Sequence, residues 1–539
     1  MKALLHRMAP AGDGVGLATD VYLPAGPGPF PTILVRTPYH RTGLQGQSRP
    51  FVERGYAFVA QDCRGKYDSE GRFTPLVDEA ADGKAALDWV AGQSWCNGRV
   101  GLWGRSYLGI VQMPAAAGGH EVLKCIAPSV APGSYFRDWL RYDGCFALAN
   151  AVSWSLTHAT CRTQPAMQHF DWGELHRLDG IEAIAERVGF SNQTLQQWAE
   201  HDTSDDMWRG LDWDHLYAHV DIPGFHSGGW FDHLTRTQFE SFGALRGEQK
   251  LLIGPWGHKT VSLTGPAHTR YGDWDFGNAA DLDLLAAELQ FFDAHLRDID
   301  DGYSDLPAVR VFLMGQNRWV SIDDWPPPAA REQALYLDAG GRLRLDTPDV
   351  DGDDGYRYDP RDPVPTRGGS LYWGLKHVGP VDVRKTLQRP DALCYRGDVL
   401  RTPLTVIGDI ALELHVASDA EDSDFIARLC VETDGGAVTC LTQGQQRCRF
   451  RNDPSVPEPL EANTPTRLSL PMGQMAYTFA AGSRVVLLVT SSDFPRILPH
   501  RNRMAPLWEG DPVVAHQHVL RGPASPSRLL MPVVDGGIR

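Results

Sequence analysis

Short apolar runs alternate with an amphipathic stretch across the first third of the chain. Thr32–Arg36, Ala57–Gln61 and Val100–Trp103 have strand length, and between the last two lies Asp78–Val90, where Ala86, Trp89 and Val90 share one helical face. Strand, helix, strand in that order predicts parallel pairing under a covering helix. A further strand is expected near Lys124–Ala127. From about Pro132 to Asp221 the chain is rich in Ala, His, Trp and Glu and reads as helices, most clearly over Gly180–Val188, before strands resume at Gly224–Gly228 and Lys250–Ile253. The helical block therefore reads as an insertion between two halves of one sheet, placed to cap it.

Beyond Trp325-Pro326-Pro327-Pro328 the pattern changes to a period of two. Ile410, Leu412, Leu414 and Val416 alternate with Ala411, Glu413 and His415, the mark of a half-buried strand. Phe425–Val431, Leu468–Leu470 and Arg484–Thr490 are similar runs, separated by turns such as Gly340-Gly341 and Asp434-Gly435-Gly436. The expected organisation is an α/β domain over 1–131 and 222–320, a helical cap over 132–221 and an all-β sandwich over 321–539.

Candidate chemistry lies where the apolar runs end. Val100–Trp103 leads into Gly104-Arg105-Ser106-Tyr107-Leu108-Gly109, the form of a nucleophile elbow, in which flanking glycines leave room for a serine on a tight strand-to-helix turn. Two later segments, ending in Gly228-Gly229-Trp230-Phe231-Asp232 and Gly254-Pro255-Trp256-Gly257-His258, each break a short strand at glycine and deliver a titratable side chain just past its carboxyl end. Ser, Asp, His is the chain order of α/β-hydrolases. A serine hydroxyl needs a base to take its proton, and the base needs a partner to fix its tautomer. Ser106 is thus the expected nucleophile, His258 the base and Asp232 the orienting carboxylate. His233, next to Asp232 in the chain, is the rival base. The backbone N–H of Tyr107 is one oxyanion donor by construction of the elbow.

The chain resembles the serine hydrolases that include cocaine esterase, the α-amino acid ester hydrolases and the X-prolyl dipeptidyl aminopeptidases. The resemblance rests on Leu34-Val35-Arg36-Thr37-Pro38-Tyr39, Gln61-Asp62-Cys63-Arg64-Gly65 with Ser69-Glu70-Gly71, Trp95-Cys96-Asn97-Gly98, the three segments above, and Ser492-Asp493-Phe494-Pro495-Arg496. It implies an α/β-hydrolase domain with an inserted helical cap and a C-terminal jelly roll. It also implies that the Tyr39 hydroxyl is the second oxyanion donor. The cap region matches weakly, and it is the part expected to shape the pocket through Trp154, His158 and His169, with Trp230 and Leu234 beside Asp232. Asp62, Arg64 and Glu70 are expected to be structural. The α-amino acid ester hydrolases carry acidic residues shortly after the catalytic aspartate, whereas here His233, Leu234 and Thr235 follow it.

Composition narrows the function classes. A net charge of -16 disfavours nucleic-acid binding. No apolar run approaches the roughly 20 residues that span a bilayer, and Met1–Pro10 does not read as a signal peptide, so a cytoplasmic protein without a membrane partner is expected. The cysteines, nine in all, show no C-x-x-C spacing, which speaks against a disulfide framework or zinc cage. Asp349, Asp351, Asp353 and Asp354 have the spacing of a calcium loop but lack its glycine and bidentate glutamate. The reading is a cofactor-independent, metal-independent hydrolase of a small-molecule carboxylic ester, acting through an acyl-enzyme, with a homodimer left open as its assembly. An amide or peptide hydrolase (X-Pro dipeptidyl peptidase or acylase) or an acyltransferase with the same triad is the alternative. A binding protein with a vestigial triad is a third.

Overall fold

The computed structural model describes residues 1–164, 172, 180–188, 192–259, 269–372 and 374–534. A ten-stranded sheet organises the N-terminal part: β1 (Lys2–Pro10), β2 (Gly16–Leu23), β3 (Phe30–Thr37), β4 (Ala57–Asp62), β5 (Cys96–Arg105), β6 (Leu123–Ser129), β7 (Gly224–Gly229), β8 (Gln249–Gly254), β9 (Val309–Leu313) and β10 (Arg318–Ile322). Their spatial order is β1-β2-β4-β3-β5-β6-β7-β8-β9-β10. Strands from β4 across to β9 run parallel, and the outer strands pair antiparallel.

The chain passes from β3 outward to β4 and returns to β5 on the other side of β3. The order of winding therefore reverses between β3 and β5, and open α/β sheets bind ligands at such a point, beyond the carboxyl ends of the strands. Tyr39 follows β3 and Ser106 follows β5.

The helix α1 (Glu79–Ala91) crosses from β4 to β5, burying Ala86, Leu87 and Val90 while Trp89 stays half-buried. Every residue of α2 (Leu148–His158), which lies between β6 and β7 in the chain, is buried. On the sheet's flank, α3 (Leu284–Arg297) starts at Asp283, whose side chain accepts from the N–H of Ala286. Its Phe292 packs so closely on β5 that a Cβ at Gly101 would lie 2.8 Å from the ring.

One polar group is sealed under α3. Glu288 is 1% exposed, and its carboxylate accepts from Trp103 Nε1 at 2.7 Å. Burial pushes this carboxyl up from 4.5 to about 8, only partly opposed by the bond from Trp103. The folded state thus keeps a proton that the unfolded chain releases, so stability is lost as pH rises between those two values. Glu288→Gln, neutral throughout, is expected to be more stable than the parent by about 2–4 kcal/mol at about pH 9, with no comparable gain at about pH 4. Urea unfolding at the two pH values checks this.

The C-terminal part is an eleven-stranded β structure. Among the described residues its strands pair antiparallel apart from one bridge between Arg342 and Arg396, and a further parallel bridge outside the strands joins Pro365 to Phe494. The strand Leu404–Ser418 turns Ile410, Leu412, Leu414 and Val416 into the core while Ala411, Glu413 and His415 are half-buried, as the period of two requires. The two parts share a core: Trp230, Phe239 and Val311 join the same apolar cluster as Leu412, Tyr477 and Leu529. Asp353 and Asp354 lie in the strand Gly352–Tyr358, where Asp353 pairs with His518 at 2.7 Å and Asp354 accepts from Tyr395 at 3.0 Å.

Candidate active site

At the end of β5 the backbone turns sharply, and Ser106 takes φ 56° and ψ -129°. A side chain in that region is strained and persists only where its surroundings enforce it. Here the Ser106 N–H donates to Ser129 O at 2.9 Å, and Ser106 O accepts from the N–H groups of Gly109 and Ile110. The glycines of the motif are steric necessities: a Cβ at Gly104 would lie 2.6 Å from that of Leu108, and one at Gly109 2.8 Å from that of Ala131. Tyr107 is the first residue of the following helix, so its N–H has no acceptor within it.

Asp232 and His258 follow β7 and β8, neighbouring parallel strands. His258 Nδ1 is 2.7 Å from Asp232 Oδ2, and the Leu234 N–H donates to Oδ1 at 2.8 Å. Burial works against the Asp232 charge, but the His258 imidazole, His233 and the Leu234 N–H together hold the carboxyl below its usual range. Arg105 Nη1 donates to His258 O at 3.0 Å and so holds the loop that carries the imidazole.

Ser106 and His258 open into one cleft of about 450 Å³, whose lining includes Tyr39, Trp139, Trp154, His158, Leu234 and Tyr372. Among the described lining residues there is no carboxylate, whereas Arg105 and Lys259 are both present. Trp154 stacks on Tyr107 at 5.7 Å, and its Nε1 donates to the Tyr39 hydroxyl at 3.3 Å. Indole N–H is a donor only, so the tyrosine oxygen accepts there, and a second side-chain hydrogen bond joins the Tyr39 hydroxyl to Ser106. Burial raises the Tyr39 phenol above its ordinary value, keeping it protonated. His158, packed against Tyr39 at 4.7 Å, is pushed down to about 3 by burial and by Lys66, and stays neutral.

The expected pocket residues divide. Trp154, His158 and Leu234 line the cleft with Ser106. Trp230 does not: it stacks on Phe239 and donates through Nε1 to Phe312 O at 2.7 Å, inside the shared core. A buried indole needs apolar neighbours and one acceptor, and β9 supplies both there. His169 lies outside the described residues. Asp62 is bound by Arg41 at 2.6 Å, Arg64 by Asp82 and Asp13 at 2.6 and 2.7 Å, and Glu70 accepts from the Gly16 N–H. These pairs fix the loops beneath the cleft.

Residues 13–260 match the model of X-Pro dipeptidyl-peptidase (S15 family), and residues 301–530 that of the X-Pro dipeptidyl-peptidase C-terminal non-catalytic domain. Cocaine esterase of Rhodococcus sp. (strain MB1 Bresler) is 32% identical, with 98% of each chain covered. The chain belongs to the S15 family. Among solved structures, an α-amino acid ester hydrolase superposes with a TM-score of 0.84 at 27% identity, covering 99% of this chain and 96% of its own. An aminopeptidase from a marine sediment archaeon, Thaumarchaeota archaeon, gives 0.85 at 25% identity, covering 98% and 96%.

Several contributors to this S15-family site carried no signal in the sequence. Ser370, from the C-terminal part, donates through Oγ to the backbone oxygen of Asp232 at 2.7 Å. Tyr372, two residues on, lines the cleft and meets the His233 ring edge-on at 5.8 Å. Both sit in a loop without periodicity, far from Ser106 in the chain. Arg105 was in view only as the variable position of the elbow. Among the described residues no helix is long and apolar enough to cross a membrane.

Proposed function

We propose that this protein, a serine carboxylic ester hydrolase by its place in the family, cleaves esters of small organic molecules through an acyl-enzyme on Ser106. The observation that carries the reading is the hydrogen bond between His258 and buried Asp232, opening into the same cleft as a strained elbow serine. Ser106 Oγ attacks the ester carbonyl as His258 takes its proton. The tetrahedral oxyanion accepts from the Tyr107 N–H and the Tyr39 hydroxyl, and collapse expels the alcohol, protonated by His258. Water then attacks the acyl-enzyme by the same route. Asp232, ionised beside the imidazole, holds its Nδ1–H tautomer and stabilises the imidazolium.

The aromatic side chains of the lining, Tyr39, Trp139, Trp154 and Tyr372, with no carboxylate beside them among the described lining residues, support acyl groups without an ammonium. A substrate ammonium entering this cleft would lose water without meeting a carboxylate among the described lining residues, an expensive transfer. An aminopeptidase-like amide hydrolase is the second reading, favoured by the family's peptidase members. A panel of p-nitrophenyl esters against X-Pro anilides separates the two: ester turnover with anilides inert is expected, and the reverse rejects the ester reading.

The helices between β6 and β7 are proposed as the specificity-setting cap. Because Trp154 also donates to Tyr39, its loss should disturb the oxyanion donor as well as acyl selectivity. Tyr39→Phe isolates the donor. It is expected to lower kcat by about 10² with little change in KM, since the bond strengthens only as charge develops on the oxygen. Steady-state kinetics on one ester decides whether Tyr39 acts or merely packs.

A further inference from the structure

We propose that Asp232 and His233 form a binding site for a borderline-soft divalent cation of the Zn²⁺ class, with His258 as third ligand, and that its occupancy reversibly switches the hydrolase off. The proposal rests on reading Asp232 and His258 as members of the triad. His233 neither gives nor takes a proton in that chemistry. Its side chain is 4% exposed and its Nδ1 lies 3.6 Å from Asp232 Oδ1, too far for a hydrogen bond. Nδ1 is buried with no hydrogen-bond partner among the described residues, an arrangement that is costly unless something else satisfies it.

Between His233 and Asp232 the 3.6 Å spacing fits a shared metal better than a shared proton. Ligand atoms bound to zinc at about 2.1 Å in tetrahedral geometry lie about 3.4 Å apart. Ligand atoms of Asp232, His233 and His258 all fall within 4.8 Å of one another. The two rings are 5.3 Å apart, and both line the solvent-connected cleft, which gives an ion its path. A second group of similar closeness, His40, Asp62 and Asp68, is a useful contrast. There the Arg41 guanidinium stands 2.6 and 2.8 Å from the two carboxylates and already supplies the positive charge. Around Asp232 the nearby cations are engaged elsewhere: Arg496 is held by Asp493 at 3.1 Å, Arg236 by Asp143 at 3.2 Å, and Arg105 bonds the His258 carbonyl.

Binding would disarm the triad directly. The cation takes the place of the proton on His258 Nδ1, that proton moves to Nε2 so that the ring stays a neutral imidazole, and the cation occupies the carboxylate that stabilises the imidazolium. Nε2 then carries the proton and cannot take the one on Ser106. His233 is thus a binding residue for the inhibitor and not a catalytic residue.

The test uses the full chain with Zn²⁺ and Co²⁺ as probes. Zn²⁺ is expected to inhibit p-nitrophenyl acetate hydrolysis, with recovery on adding EDTA, and to raise the melting temperature by mass action. Co²⁺ bound to the Ser106→Ala protein should show the intense visible bands of a low-symmetry, four-coordinate ion. His233→Asn, with His233→Phe as a second variant, should raise the half-inhibitory Zn²⁺ concentration at least about 10-fold, since even losing a group that only supports a ligand costs that much. The same variants should abolish both the cobalt bands and the zinc-dependent rise in melting temperature. Inhibition and bands that survive in both variants place the ion elsewhere, on the surface histidines for example, and overturn the proposal. So does a parent protein that binds neither ion. Fluorophosphonate labelling of Ser106 is measured in parallel. Cobalt bands lost in the variants while the parent resists the probe would keep the metal site and reject the triad.

Discussion

Ser106→Ala is expected to fold as the parent does and to hydrolyse esters about 10⁶-fold more slowly, the size of effect seen when a serine hydrolase loses its nucleophile. The hydroxyl forms the covalent bond to the acyl group, and its removal takes away almost no apolar surface, so circular dichroism and the melting temperature should barely change. The positive φ of residue 106 is no obstacle, because serine already bears the strain of a Cβ there and alanine adds none. A fluorophosphonate adduct should map by mass spectrometry to Ser106 in the parent and vanish in the variant. An active alanine protein, or an adduct on another residue, would remove the basis for the mechanism.

Asp232→Asn is expected to cost about 10⁴ in kcat, from the wrong imidazole tautomer and not from lost geometry. Asp232 Oδ1 accepts from the Leu234 N–H and its Oδ2 faces His258 Nδ1. An asparagine keeps its oxygen on Leu234 and turns its amide N–H₂ toward the imidazole, which must then accept on Nδ1. The proton moves to Nε2, the atom that should receive the serine's proton. Because attack on the phosphonate needs the same base, phosphonylation should slow in the same proportion as turnover. Equal rates in parent and variant would assign the orienting role elsewhere.

The convergence of Ser106, Asp232 and His258 on one side of the sheet was legible because each sits behind a glycine at the end of a short apolar strand. Such punctuation is local, and the steric demand at Gly104 and Gly109 is a property of a few neighbouring residues. The parallel strands and the alternating strand around Leu412 were legible for the same reason. What escaped was set by tertiary packing. β1 exposes most of its length and has no alternation to read. The strand Val438–Arg447 is buried throughout although Gln443, Gln445, Gln446 and Arg447 occupy it, because Arg447 meets Asp424 at 2.9 Å and Gln445 meets Asp143 at 3.1 Å. Trp230 lay beside the catalytic aspartate in sequence yet packs into the other core. His233 was read only as a rival base, since nothing in a linear string reveals an unsatisfied nitrogen.

The bond from Ser370 to the backbone of Asp232, with Tyr372 in the cleft wall, has a consequence for the life of the chain on the ribosome. All three triad residues are synthesised before residue 260, yet the loop that braces them comes a hundred residues later. That loop belongs to a β structure whose final strand, Arg528–Val534, pairs with the strand Ala330–Asp338. A nascent hydrolase domain would therefore carry Ser106, Asp232 and His258 without the wall that lines their cleft. Full esterase activity should require that final strand to have formed, and a truncation that removes it should silence an active site almost three hundred residues upstream.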